Sequence, residues 1–127
     1  MEAVDDLARR LRERGLDVYC FRDADDPLTA AARGLSPEAF MQAFEARDWR
    51  TDPEIRAVFE QDIEALRSSA ALVMLLPAGK SSHMEAGIAF GMGKRCILVG
   101  DTPEAESLYL LFAESYPTAD AFLESLR

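Results

Sequence analysis

The segment "ALVMLLP", Ala71 to Pro77, constrains this chain more than any other stretch. It is unbroken apolar, with Gly79 two positions beyond its end, the pattern of a strand buried on both faces. Two further segments read as strands: "DVYCF", Asp17 to Phe21, rich in β-branched and aromatic residues, and "RCILVG", Arg95 to Gly100. Helical patterns separate them. Strands alternating with helices predict an α/β fold, a three-layer doubly wound parallel sheet with right-handed crossovers and helices on both faces. In such sheets ligands bind beyond the carboxyl ends of the strands, where the winding reverses. The stretch "AGKSSHMEAG" directly follows such an end.

The helices are legible from period and punctuation. Met1 to Arg14 places Val4, Leu7, Ala8 and Leu11 at i, i+3, i+4 and i+7, with Gly15 as the stop. "RDADDPLTAAARGL" reads as a loop. "SPEAFMQAFEA" has Ser36 as N-cap and Pro37 at the first helical position. A turn around "RDWRTDP" leads into a long helix, Pro53 to Arg67. Helices are also expected at Ser82–Met92, Glu104–Phe112 and Ala119–Leu126. Gly87, Gly91 and Gly93 read as close helix-to-sheet packing and a helix end.

A length of 127 residues fits one domain, 1–127, with one core. The net charge of −9 and pI near 4.6 disfavour nucleic-acid polymers and anionic membranes as partners. A small anionic ligand remains compatible, because a local nest of backbone N–H groups outweighs a distant acidic surface. No apolar run reaches the roughly 18 residues that span a bilayer, and no signal-peptide pattern opens the chain, so a cytoplasmic protein is expected. The two cysteines, Cys20 and Cys96, read as buried reduced thiols and lack metal-ligand spacing. No metal and no cofactor is expected.

Two carboxylates stand out. Ser82-His83-Met84-Glu85 fits a capping box, in which the glutamate reaches back to the helix start; the alternative is that Glu85 does chemistry. On the Pro53–Arg67 helix, Ile55, Val58, Phe59, Ile63 and Leu66 form an apolar stripe, and Asp62 falls near its middle. An acid there must be paired, hydrogen-bonded or protonated. It is either a core-edge aspartate bonded to a loop backbone or a group facing the same cleft as Glu85. Two carboxylates at one cleft are the equipment for breaking a glycosidic bond, one attacking the anomeric carbon and the other assisting the leaving group.

"FEQDIEAL" followed by "ALVMLLPAGKSSHMEAGIAFGMGKR" resembles the nucleoside 2-deoxyribosyltransferase family, in particular its short nucleotide-hydrolysing relatives. "LARRLRERGLDVYCFRD" extends the likeness more loosely. The resemblance implies a flavodoxin-like or Rossmann-like fold, Glu85 as covalent nucleophile, and Asp62 acting on the base. It further implies a nucleotide or nucleoside as ligand and a homodimer or larger homo-oligomer as the working form. The turn then suggests what is held. Gly79 lets a backbone approach closely, and Ser81, Ser82 and His83 offer donors beside a helix N-terminus, which favours a 5′-monophosphate. Lys80 adds a charge or is a solvated lysine; His83 touches the ligand or is structural. Phe21, Arg22 and Trp49 form the base pocket, or Trp49 is ordinary packing.

The chain departs from the family in three places. The family opens with a strand before its first helix, whereas this sequence starts inside the helix; an upstream start, a re-paired sheet or a partner strand would each reconcile them. Gly79 stands where transferases acting on free nucleosides carry an aspartate, which favours hydrolysis. Ala70 stands where relatives show Asp. The expected activity is cleavage or transfer at an N-glycosidic bond. The alternatives are a nucleotide-sensing module without turnover and an interaction domain in which Glu85 only caps.

Overall fold

A computed structural model of the chain describes residues 2–23, 27–101 and 106–126. Among them are six α-helices and one three-stranded parallel sheet, a mixed α/β arrangement. The chain divides into two units, Met1–Leu16 with Leu66–Arg127, and Asp17–Ala65.

The first unit holds the sheet. Its strands are β1 (Ala71–Leu75), β2 (Arg95–Val99) and β3 (Glu114–Tyr116), in that order across the sheet. Ala71 pairs with Arg95 and Leu75 with Val99; on the other side Ile97 pairs with Glu114 and Val99 with Tyr116. Among the described residues only β2 has strand neighbours on both sides, and Cys96, Ile97, Leu98 and Val99 are all buried. Successive strand residues point to opposite faces, so both faces of β2 are covered.

Helix α5 (Lys80–Gly91) covers one face: Ala86 packs with Met74 and Leu98, and the Cys96 thiol lies 3.7 Å from the Ala86 carbonyl oxygen. Burial pushes that thiol's pKa up, away from the reactive thiolate. Helix α6 (Ala119–Glu124) covers the other face, with the Phe122 ring 5.4 Å from that of Tyr116, the register partner of Val99. Thr118 caps α6 by accepting from the Ala121 N–H.

Helix α1 (Glu2–Glu13) buries Leu7, Ala8 and Leu11, as its spacing predicts. It ends where Gly15 turns left-handed at φ 84°. There the Gly15 N–H donates to Arg12 O at 2.9 Å and the Leu16 N–H to Leu11 O at 3.3 Å, the paired bonds of a Schellman ending. Gly93, at φ 78°, ends α5 in the same way, as expected, and Gly100 is a third left-handed glycine. Its φ is 116°, and a Cβ there would lie 3.0 Å from the Leu76 Cβ.

Four expectations for this unit are corrected. The strand expected over Ala71–Pro77 is shorter, and only Met74 is buried, because β1 lies at the sheet edge. Gly87 and Gly91 face open space, and it is Ala86 and Ala89 that bring α5 close to the sheet. The helix expected over Glu104–Phe112 is a 3₁₀ helix at Ser107–Leu111; residues 102–105 lie outside those described. Strand β3 was not anticipated: Glu-Ser-Tyr has no apolar run, and the Arg95–Glu114 ion pair across the ladder helps to hold it.

The second unit is helical. The segment Asp17–Phe21, expected as a strand, belongs to no strand and leads into a 3₁₀ turn at Phe21–Asp23. β-forming residue types make a strand only where a partner backbone supplies the ladder. The expected loop contains helix α2 (Pro27–Ala32), in which a proline opens an alanine-rich run of good helix formers; residues 24–26 lie outside those described. Helix α3 (Pro37–Glu45) begins as predicted, with Ser36 Oγ accepting from the Ala39 N–H at 3.1 Å.

Helix α4 (Pro53–Ser68) starts at Asp52, whose Oδ1 accepts from the Glu54 and Ile55 N–H groups. The Arg47 guanidinium grips the same carboxylate with both arms and, first among the causes, lowers its pKa. The apolar stripe of α4 is only partly covered, since Leu66 is buried but Phe59 is 54% exposed.

Candidate functional site

The chain between β1 and α5 passes through a cis Leu76–Pro77 bond to Gly79, the N-cap of α5. Gly79 has φ −82° and ψ −174°, extended backbone open to any residue, and a Cβ there would meet nothing within 4 Å. Its lack of a side chain leaves the helix start without a side-chain cap.

This start overturns the capping reading of Glu85. The helix begins at Lys80, two residues earlier than the serine pattern suggests, and its first turn carries no acid. Glu85 falls in the second turn, beyond reach of the backbone N–H groups that a capping glutamate serves. Ser82, expected as the cap, is inside the helix. The S-x-x-E signature misled because the sequence does not reveal how early a glycine-capped helix begins.

Residues three and four apart share a helix face, so Ser81 and Ser82 flank Glu85 on one side of α5. Ser81 is exposed, whereas Ser82 and Glu85 are half-buried. Lys80 is exposed at the first helical position. His83 points elsewhere: two positions from Glu85 is about 200° around the helix. Its Nδ1–H donates to Gly79 O at 2.8 Å, and its Nε2 lies 3.0 Å from the Tyr109 hydroxyl. Both ring nitrogens therefore have protein partners. Tyr109 was not singled out from sequence; it stands alone among the apolar residues of "SLYLLF".

The second carboxylate belongs to the helical unit. Asp62 is half-buried on α4, and the Tyr19 hydroxyl donates to its Oδ1 at 2.9 Å. An acid on an apolar stripe requires such a partner. Tyr19 was overlooked because it sat inside a presumed strand. Phe21 is exposed in the 3₁₀ turn, and the Arg22 carbonyl accepts from Arg33 Nε at 3.0 Å. Trp49, on the turn between α3 and α4, is 60% exposed, with the Arg50 guanidinium 4.5 Å from its ring centroid.

Among the described residues no three His, Cys, Asp or Glu side chains gather as a metal site, and no helix is long and apolar enough to cross a membrane. The chain matches no protein-family model, and no curated protein matches it.

Proposed function

We propose that the chain is a doubly wound, flavodoxin-like enzyme that cleaves the N-glycosidic bond of a nucleoside 5′-monophosphate through an ester on Glu85. The observation that carries this reading is the placement of Glu85: past the carboxyl end of β1, in the second turn of α5 and flanked by two serines.

A Glu85 carboxylate oxygen attacks C1′, the C1′–N bond breaks, and the base leaves with the electron pair. The resemblance assigns Asp62 to the base, and the departing nitrogen takes up a proton from solvent. Water then attacks C1′ of the ester, returns the carboxylate and releases the sugar 5-phosphate; a second base in place of water gives transfer. The first-turn N–H groups and the Ser81 and Ser82 hydroxyls receive the phosphate. Lys80 adds positive charge.

Homodimerisation belongs to the same proposal. Its support is the exposed Met84, Ile88 and Phe90 on α5, apolar area that a second copy would cover. A monodisperse monomer in solution scattering contradicts it. The free, buried Cys20 and Cys96 suit a reducing, cytoplasmic setting.

The test is incubation with a panel of nucleoside monophosphates and nucleosides, with chromatography for free base and the emission of Trp49, the sole tryptophan, followed in parallel. Base release that Glu85→Gln abolishes supports the enzyme. An emission change without base release supports a nucleotide-binding module instead. Neither signal contradicts both.

A further inference from the structure

Tyr109 packs its ring against the core formed by Met74, Ala86 and Leu98, and its hydroxyl reaches 3.0 Å from His83 Nε2. The two rings are tilted against each other with centroids 5.8 Å apart. On the other side of the imidazole, Nδ1 lies 2.8 Å from Gly79 O, which also accepts the His83 backbone N–H at 3.2 Å. A carbonyl only accepts, so Nδ1 carries the proton; in the neutral ring Nε2 then accepts from the tyrosine. The chain of donors runs in one direction, from Tyr109 O–H to His83 and from His83 to Gly79 O. It ends on the N-cap of α5, the residue whose side chain supplies no cap of its own.

We infer that Tyr109 is a positioning residue of the Glu85 turn: through His83 it fixes Gly79 and thereby the orientation of the first-turn N–H groups that receive the anionic part of the substrate. This rests on the proposed reading for what the turn receives. His83 lies about 200° around α5 from Ser81 and from Glu85, so the brace shapes the turn without occupying the face that those two residues share. His83 is accordingly an internal strut, its donor and acceptor both used within the protein.

His83 is the only histidine, so a long-range proton–nitrogen NMR spectrum of the full chain contains one imidazole. The wild type is expected to show the Nδ1–H tautomer, and Tyr109→Phe, which keeps the ring packing, a mixture with Nε2–H. Titration with inorganic phosphate, followed at the Lys80, Ser81 and Ser82 amides, is expected to weaken several-fold in Tyr109→Phe while the far-ultraviolet dichroism is unchanged. An Nε2–H tautomer in the wild type, no phosphate response at those amides, or equal phosphate affinity in the two proteins overturns the inference. Base release by the wild type is a separate readout. Its absence removes the enzymatic reading and leaves the tautomer and phosphate results to decide the role of Tyr109.

Discussion

Glu85 lies six positions beyond Gly79, the residue that caps α5, and so one turn too far along the helix to serve as its cap. A glutamate that braced the helix start would be a structural residue whose loss frays the first turn. Glu85 instead sits in the second turn, beside Ser81 and Ser82.

Replacing Glu85 by Gln is therefore expected to leave the start of α5 intact. Amide exchange at His83, whose N–H bonds to Gly79 O, should match the wild type, while base release falls by about 10³-fold or more. Faster exchange at His83 in the variant would return Glu85 to a structural role.

The Tyr19–Asp62 hydrogen bond leads to a second expectation. If Asp62 orients the base and Tyr19 orients Asp62, then Tyr19→Phe loses one hydrogen bond to a charged group. The expected cost is about 1.5 kcal/mol, or roughly tenfold in kcat/KM. Asp62→Asn should cost more, because it removes the charge as well. Unchanged kinetics in both variants would take Asp62 out of the mechanism.

Acid stability should report on Asp52. The Arg47 guanidinium holds its pKa below the ordinary value, with the Glu54 and Ile55 N–H groups adding to the effect. A lowered folded value means that the stabilisation is fully present above the unfolded value, about pH 4, and is lost as pH falls through the folded value. Glu114, held low by Arg95, acts in the same direction. Thermal melting from pH 7 to pH 2 should show the wild type losing stability below about pH 4. Asp52→Asn should lose less over the same range. Parallel curves for the two proteins would contradict the assignment.

The sequence disclosed the elements that carry their own local signals. Ser36 and Pro37 announce α3, Gly15 ends α1, and the apolar runs at Ala71 and Arg95 are strands. What it hid depends on partners distant in the chain. "DVYCF" has the composition of a strand without being one, and Glu114–Tyr116 is a strand without the composition. Ser82 and Glu85 match a capping pattern that the earlier, glycine-capped start makes irrelevant. Glu85 and Asp62 were legible as unusual acids, whereas Tyr19 and Tyr109, which hold Asp62 and His83, became visible only through their hydrogen bonds.

Intact-mass spectrometry of protein quenched during turnover of a nucleoside 5′-monophosphate tests the covalent role of Glu85 most directly. The account predicts a mass gain of one pentosyl 5-phosphate, located on the peptide that contains Glu85 and absent from Glu85→Gln. Free base accumulating with no adduct on that peptide, at a rate that Glu85→Gln leaves unchanged, would contradict it.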